Sequence, residues 1–266
     1  MTELRNKIVL LTGAAGGLGQ EIASALLNEG CQLILTDLDY EKLEVAANSI
    51  LHTKGKILGY FTANLETEAG CQEVIKKCLN LTSYIDILIN NAGTAVVGSF
   101  VNIPDEKWER VMNVNIMAPM RLTKKFLPLM IERKAGHIVN IVSITGFIGT
   151  GALVPYSTSK FALSGFGEAI YNDVSNQGIK VTNMYPSFVR TKIIHAEQFG
   201  YSEIKLVPDF LIGEPVFVAK KLIKAIKKDK VYIYPGLMAK ILNILKRLSP
   251  SMLLFLIKLL RSKASK

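Results

Sequence analysis

Cysteine is scarce and unpaired in this chain: Cys31, Cys71 and Cys78 make an odd count with no CxxC spacing. That excludes a disulfide framework and a zinc site, so no metal is expected and the thiols read as buried side chains in a reducing compartment. Long apolar runs are missing too. The run toward the C-terminus, MLLFLIKLLR at 252–261, holds ten residues, two of them cations, against the ~20 apolar residues of a membrane-crossing helix. The opening MTELRNKIVLLTG has too short an apolar part for a secretory signal and passes straight into a glycine loop, so no signal peptide is expected and the location is read as cytoplasmic. Acids are nearly absent from one end. Residues 220–266 hold 13 Lys/Arg and one acid, Asp229, a net +12 that leaves −2 for residues 1–219 of a chain whose total is +10. The basicity belongs to the tail, so a nucleic-acid reading face is excluded and an anionic surface is the expected counterpart.

What remains is an ordinary globular composition, 49% hydrophobic and 20% charged over 266 residues, sized for one large α/β domain rather than two. Short apolar runs, KIVLLT, CQLILTD, KILGYF, IDILIN, HIVNIVS, IKVTNMYP and VYIYP, alternate with helical periodicity near 17–29, 40–53, 66–82, 105–134, 156–177 and 214–229. Strand and helix at this rhythm predict a doubly wound parallel sheet of the Rossmann kind in three layers, its strands buried on both faces. Residues 1–235 are read as the domain, with no repeat, linker or low-complexity block before 230, and 236–266 as a basic, apolar helical extension.

TGAAGGLGQEIA at 12–23 follows the first run and opens the first helix. Gly13, Gly17 and Gly19 follow GxxxGxG rather than GxGxxG, yet the physics is shared: absent side chains let the backbone turn tightly and approach a pyrophosphate at a helix N-terminus. Asp37 closes the second run 18 residues beyond Gly19, where an acid meets the adenosine ribose. A carboxylate accepts from two ribose hydroxyls and repels a 2′-phosphate. Gly16 and Leu38 supply no cation beside it, so NAD is favoured over NADP. In VPYSTSKFALSGFG at 154–167, Tyr156 and Lys160 stand four apart and share a helix face. Alone, that spacing reads as an exposed pair.

Thr12-Gly13-x-x-x-Gly17-x-Gly19, NNAG at 90–93, Asn115 in NVN, Ser143 in IVNIVS and Tyr156-x-x-x-Lys160 stand in the order and spacing of the classical short-chain dehydrogenases/reductases, which the chain resembles over about residues 5–235. The resemblance implies a nicotinamide-dependent alcohol dehydrogenase or carbonyl reductase. Tyr156 is then the acid/base, Lys160 its electrostatic tuner and the holder of the nicotinamide ribose, Ser143 the hydrogen-bond partner of the substrate oxygen, and Asn115 the support of a proton-relaying water. The dinucleotide is expected on Gly13, Gly17, Leu18, Gly19, Asp37, Asn64, Leu65, Asn91, Ala92, Gly93, Tyr156, Lys160, Pro186, Val189 and Thr191. A free phenol with a pKa of about 10 is protonated at neutral pH; a neighbouring ammonium and the positive nicotinamide of an oxidised cofactor are expected to lower it. Asn64 stands where the family usually has Asp, Ser187 where it usually has Gly after Pro, and the basic tail lies outside the pattern.

Residues 187–213 are expected to cover the substrate. Ile193, Ile194, Phe199, Tyr201, Leu206, Phe210 and Leu211 suggest an apolar mouth, while His195 is read as a solvated or packed histidine before a substrate contact. In 237–248, Leu237, Ile241, Leu245 and Leu248 share one face, with Lys240, Asn243 and Arg247 toward the other. An interfacial membrane contact through residues 237–261 is the preferred reading; a roof over the pocket or an oligomer contact stays open. The resemblance implies a homodimer or homotetramer on the long helices, and the apolar lid and tail imply a lipophilic substrate. A non-catalytic nucleotide-binding scaffold or redox sensor is the alternative, against which the intact Ser143, Tyr156 and Lys160 set argues.

Overall fold

The computed structural model describes residues 1–49, 54–191, 196–200 and 212–255. Along the chain run β1 (Ile8–Thr12), α1 (Gly17–Asn28), β2 (Gln32–Asp37), α2 (Tyr40–Ser49), β3 (Lys56–Thr62), α3 (Glu68–Leu81), β4 (Ile87–Asn90) and β5 (Val97–Gly98). There follow α4 (Asp105–Met112), α5 (Ala118–Glu132), β6 (Gly136–Ile141), α6 (Val154–Val174), β7 (Ile179–Met184), β8 (Gln198–Phe199), α7 (Pro215–Lys227), β9 (Tyr232–Ile233) and α8 (Gly236–Leu248).

Seven strands form one parallel sheet in the order β3-β2-β1-β4-β6-β7-β9. The chain winds outward from β1 to β3, returns to β4 on the other side of β1, and winds outward again. That reversal opens a crevice at the carboxyl ends of β1 and β4, where doubly wound sheets hold ligands.

The unbroken apolar strands resolve into two faces because successive side chains point to opposite sides. Val9, Leu11, Leu33, Leu35, Ile87 and Ile89 pack with α1 and α7 residues such as Ile22, Leu26 and Leu222. Leu10, Ile34, Leu88 and Ile138 turn the other way, to Val74, Leu122 and Phe126 of α3 and α5.

One row across the sheet is polar instead. Asn90, Asn140 and Asn183 sit in register on β4, β6 and β7, and all three are buried. The Asn90 amide donates to Asn140 Oδ1 at 2.9 Å, and the Asn140 amide donates to Asn183 Oδ1 at 2.9 Å. Against this row α6 lays Gly167, where a Cβ would stand 2.7 Å from Asn140 Nδ2 and overlap Asn183 Oδ1.

Three features depart from the sequence pattern. The single helix expected over 105–134 is broken by a π-turn at Asn113–Met117, where the Ala118 N–H reaches back five residues to the Asn113 carbonyl. The strands β5 and β8 form a separate parallel pair, invisible beforehand because two-residue strands carry no periodicity. And Phe199, expected at an apolar mouth, packs with Val96, Ile103, Val111 and Trp108.

The C-terminal helix α8 buries Ala239 and exposes Leu237, Ile241, Ile244 and Leu248. It packs on the turn Ile144–Gly146. Ser249 interrupts the helix, and residues 250–255 resume it with Leu253 buried and Met252 and Phe255 exposed. Among the described residues no helix is long and apolar enough to cross a membrane.

Candidate active site

The site begins with the hydroxyl of Thr12 at the end of β1. It accepts the N–H groups of Asn91 at 3.1 Å and Ala92 at 3.0 Å, and donates to the Ile89 carbonyl at 3.2 Å. In return the Asn91 amide donates to the carbonyls of Thr12 at 2.9 Å and Gly13 at 3.0 Å. The glycine loop after β1 is thus stitched to the segment after β4. Gly13 has φ +66, and a Cβ there would stand 2.7 Å from Ala92 Cα; a Cβ on Gly19 would overlap the Gly13 carbonyl. Only glycine lets the loop and α1 close this tightly.

Helix α1 starts without a side-chain cap at Gly16 and without an acid in its first turn. Its first N–H groups and the positive end of its dipole are therefore left for an anion. Asp37, at the end of β2, accepts from Ala15 N at 2.8 Å and Leu38 N at 2.7 Å. Those bonds orient the carboxylate at the rim of the crevice and leave lone pairs for hydroxyl donors. Beyond β3, Asn64 turns its Oδ1 to the Glu66 N–H at 3.0 Å, which leaves the amide NH₂ as its outward group.

On the other wall, Ser143 follows β6 and its Oγ accepts from Thr145 N at 3.1 Å. Tyr156 and Lys160 lie in the first two turns of α6, whose start is eased by Pro155. The Tyr156 phenol lies near enough to Ser143 for that hydroxyl to ease its ionisation. Tyr156 packs, as Ala196 does, against the buried cluster of Val97, Ala152 and Leu153. Lys160 is buried, donates to the Ile141 carbonyl at 2.8 Å, and holds its Nζ 5.7 Å from the Tyr156 ring centroid.

Desolvation acts on both groups in opposite senses. Burial pushes the phenol up to about 12, with the Ser143 hydroxyl pulling back, and pushes the ammonium down to about 8. Burial disfavours phenolate and ammonium alike, so the phenol lies above its free value rather than below it as expected.

Asn115 lies in the π-turn, buried behind this wall. Its Oδ1 accepts from Thr94 N at 2.8 Å, and its amide donates to Thr94 O and Ser159 Oγ, each at 2.9 Å. Ser159 Oγ donates onward to the Tyr156 carbonyl at 2.8 Å. The side chain expected to support a water has both amide hydrogens on protein and clamps the loop after β4 to the base of α6. Gly93 fits between Asn115 and Lys160: a Cβ would stand 3.4 Å from Asn115 Oδ1 and 3.6 Å from Lys160 Nζ.

All fifteen residues expected to hold a dinucleotide line one cleft of about 420 Å³, together with Ser143. Asn115 does not line it and acts on it through Thr94 and, by way of Ser159, through Tyr156, both of which do. Sequence reasoning missed Leu153, Phe188 and Arg110, which also line the cleft; no motif marks them, because tertiary winding brings them there. The ends of the expected covering segment are clasped. Val189 and Gly213 form a parallel bridge, Gly213 N donates to Phe188 O at 2.8 Å, and Arg190 N donates to Gly213 O at 3.0 Å. His195, Ile193, Ile194, Tyr201, Leu206, Phe210 and Leu211 lie outside the described residues.

The family model described as short chain dehydrogenase matches residues 7–199. A CLA biosynthesis dehydrogenase/reductase of Lactiplantibacillus plantarum is 34% identical over 200 residues, 74% of this chain and 70% of that protein. Epidermal retinol dehydrogenase 2 of Homo sapiens is 32% identical over 231 residues, 86% of this chain and 73% of that protein. Among solved structures, a short-chain dehydrogenase from Sphingobium yanoikuyae in complex with NADPH has a TM-score of 0.78 at 26% identity, covering 87% of this chain and 88% of that one.

Proposed function

The chain belongs to the short-chain dehydrogenases, an oxidoreductase family that uses a nicotinamide cofactor, and from that premise we infer that it interconverts an alcohol and a carbonyl on a lipophilic substrate of steroid, retinoid or fatty-chain type. The observation that carries the reading is the convergence of Ser143, Tyr156 and Lys160 on the wall of a cleft whose other end is an uncapped helix N-terminus.

The residues present fit a dinucleotide. Gly13 and Gly19 let the loop close on Ala92 and on itself, and the uncapped start of α1 is left to receive a pyrophosphate. Asp37 offers acceptors to the adenosine ribose, and the outward amide of Asn64, with Leu65, faces the adenine end. Asn91, Ala92, Gly93, Pro186, Val189 and Thr191 would hold the nicotinamide half, and Lys160 its ribose. When bound, the nicotinamide supplies the hydride acceptor or donor.

The chain's own groups do the rest. Ser143 Oγ and the Tyr156 hydroxyl, on the same wall of the cleft, offer one substrate oxygen two partners. Tyr156 gives its phenolic proton to that oxygen on reduction and takes it back on oxidation. Lys160, the buried cation beside it, favours the phenolate that each turnover must pass through. Asn115 fixes Thr94 and, through Ser159, the start of α6, so the phenol is held in place.

NAD is preferred over NADP in this reading, because a 2′-phosphate would meet the Asp37 carboxylate. The apolar cluster that Tyr156 packs against, Val97, Ala152 and Leu153, favours a greasy substrate. The human relative, named a retinol dehydrogenase, supports the same class. Met117 at the end of the π-turn, Met120 on α5 and Phe161 on α6 are exposed and suit the homo-oligomer contact proposed for these helices.

The test is a spectrophotometric screen of apolar alcohols and ketones with NAD and NADP in parallel. Turnover of long-chain or polycyclic alcohols with NAD is expected. Turnover confined to small polar sugars would overturn the substrate class. Nicotinamide binding without turnover of any alcohol would favour the scaffold alternative.

A further inference from the structure

Helix α8 presents a face that the fold leaves in water. Leu237 is 72% exposed, Ile241 46%, Ile244 54% and Leu248 79%. At steps of four, three and four residues these side chains fall within one narrow arc of the helix. The opposite side carries Ala239, fully buried against the body. After the interruption at Ser249, Met252 at 44% and Phe255 at 65% extend the exposed apolar surface. Among the described residues none of 236–255 lines the cleft.

Charge decides between the remaining occupants. Lys240 and Arg247 are exposed and border the stripe on one edge, each a helical neighbour of Ile244. Beyond Asp229 the sequence has no acid, while Lys258, Arg261, Lys263 and Lys266 follow. In a two-fold dimer built on this face the same cations would confront their copies with no carboxylate in the segment to pair them. An anionic lipid surface offers both things the helix lacks: hydrocarbon at headgroup depth for the stripe and negative charge for its edge.

We propose that α8 and the turn after it lie in the plane of an anionic membrane, Leu237, Ile241, Ile244 and Leu248 inserted and Lys240 and Arg247 at the headgroups. The helix packs on the turn Ile144–Gly146, directly after Ser143, so docking brings the wall that carries Ser143 close to the lipid. This contact stands on the exposed stripe and its charge, and does not depend on the reaction assigned to the cleft.

Co-sedimentation of the full chain with vesicles tests it, comparing phosphatidylcholine alone with phosphatidylcholine containing phosphatidylserine. The chain is expected to pellet with the second and not the first, and to be released as salt is raised. The combined Leu237→Ser, Ile241→Ser and Leu248→Ser variant should bind at least ~10-fold more weakly. Lys240→Gln should weaken binding about fivefold. Retained NADH binding by both variants certifies the fold, since all four positions are on the surface. Three outcomes overturn the proposal: no preference for phosphatidylserine, undiminished binding by the triple variant, or no vesicle binding combined with a triple variant that converts a dimer to a monomer in analytical ultracentrifugation. The last would assign the stripe to a second copy.

Discussion

Tyr156 and its neighbours set the sharpest expectations at the residue scale. Tyr156→Phe keeps the ring that packs on Val97 and Leu153 and removes only the proton. Its kcat should fall by roughly 10²–10⁴ while NADH affinity, read by fluorescence, holds. Asp37→Ser removes the carboxylate but keeps a small polar cap on the Ala15 N–H. The ratio of kcat/KM for NAD over NADP should fall by more than tenfold, and a ratio that did not move would show that Asp37 does not read the ribose. His137 sets a pH dependence. Thr182 Oγ donates to the Lys230 carbonyl at 2.7 Å, so it accepts from His137 Nε2–H at 2.8 Å. The bare Nδ1 is then buried without a partner. Burial pushes the imidazole down to about 4 from 6.5. The unfolded chain takes up this proton below pH 6.5 and the folded one only near 4, so stability is lost as pH falls through that window, by about 3 kcal/mol. Urea unfolding at stepped pH measures the loss, and His137→Gln should flatten that share of the slope.

Elements carry the next scale. Gly167→Ala drives a methyl from α6 into the Asn140 and Asn183 amides. Overpacking of this kind costs about 1–3 kcal/mol, and a ladder hydrogen bond is put at risk as well; chemical denaturation of the variant reads the loss. Much of this level is legible in the sequence. Continuous Val/Ile/Leu runs report strands buried on both faces, and glycines at 13, 17 and 19 report a close approach, because each reflects a local steric demand. Asn115, Ser143, Tyr156 and Lys160 are legible only together, through the resemblance to the short-chain dehydrogenases, since the four-residue step from Tyr156 to Lys160 alone reads as an exposed helix pair. The rest depends on distant pairing. Two residues at 97–98 become a strand only against 198–199, the π-turn that positions Asn115 is a one-residue slip in helical bonding, and Leu153 joins the cleft through tertiary winding. The apolar face of α8 was anticipated, with Ile244 rather than Leu245 as its exposed member.

For the whole molecule, cofactor and fold are linked. A dinucleotide that binds only the folded chain stabilises it by about 2.7 kcal/mol at one hundred times its dissociation constant. NADH should therefore raise Tm by several degrees in a thermal-shift assay, and Gly19→Ala, which crowds the Gly13 carbonyl, should abolish the rise. A sheet of parallel strands assembles slowly, since every neighbour arrives through a long crossover. The row of Asn90, Asn140 and Asn183 bears on that assembly. If β4, β6 or β7 were to dock one position out of step, its asparagine would swing into the opposite hydrocarbon layer with no amide to meet. The row therefore acts as an alignment key: it adds little to the strength of the sheet and penalises every wrong way of closing it.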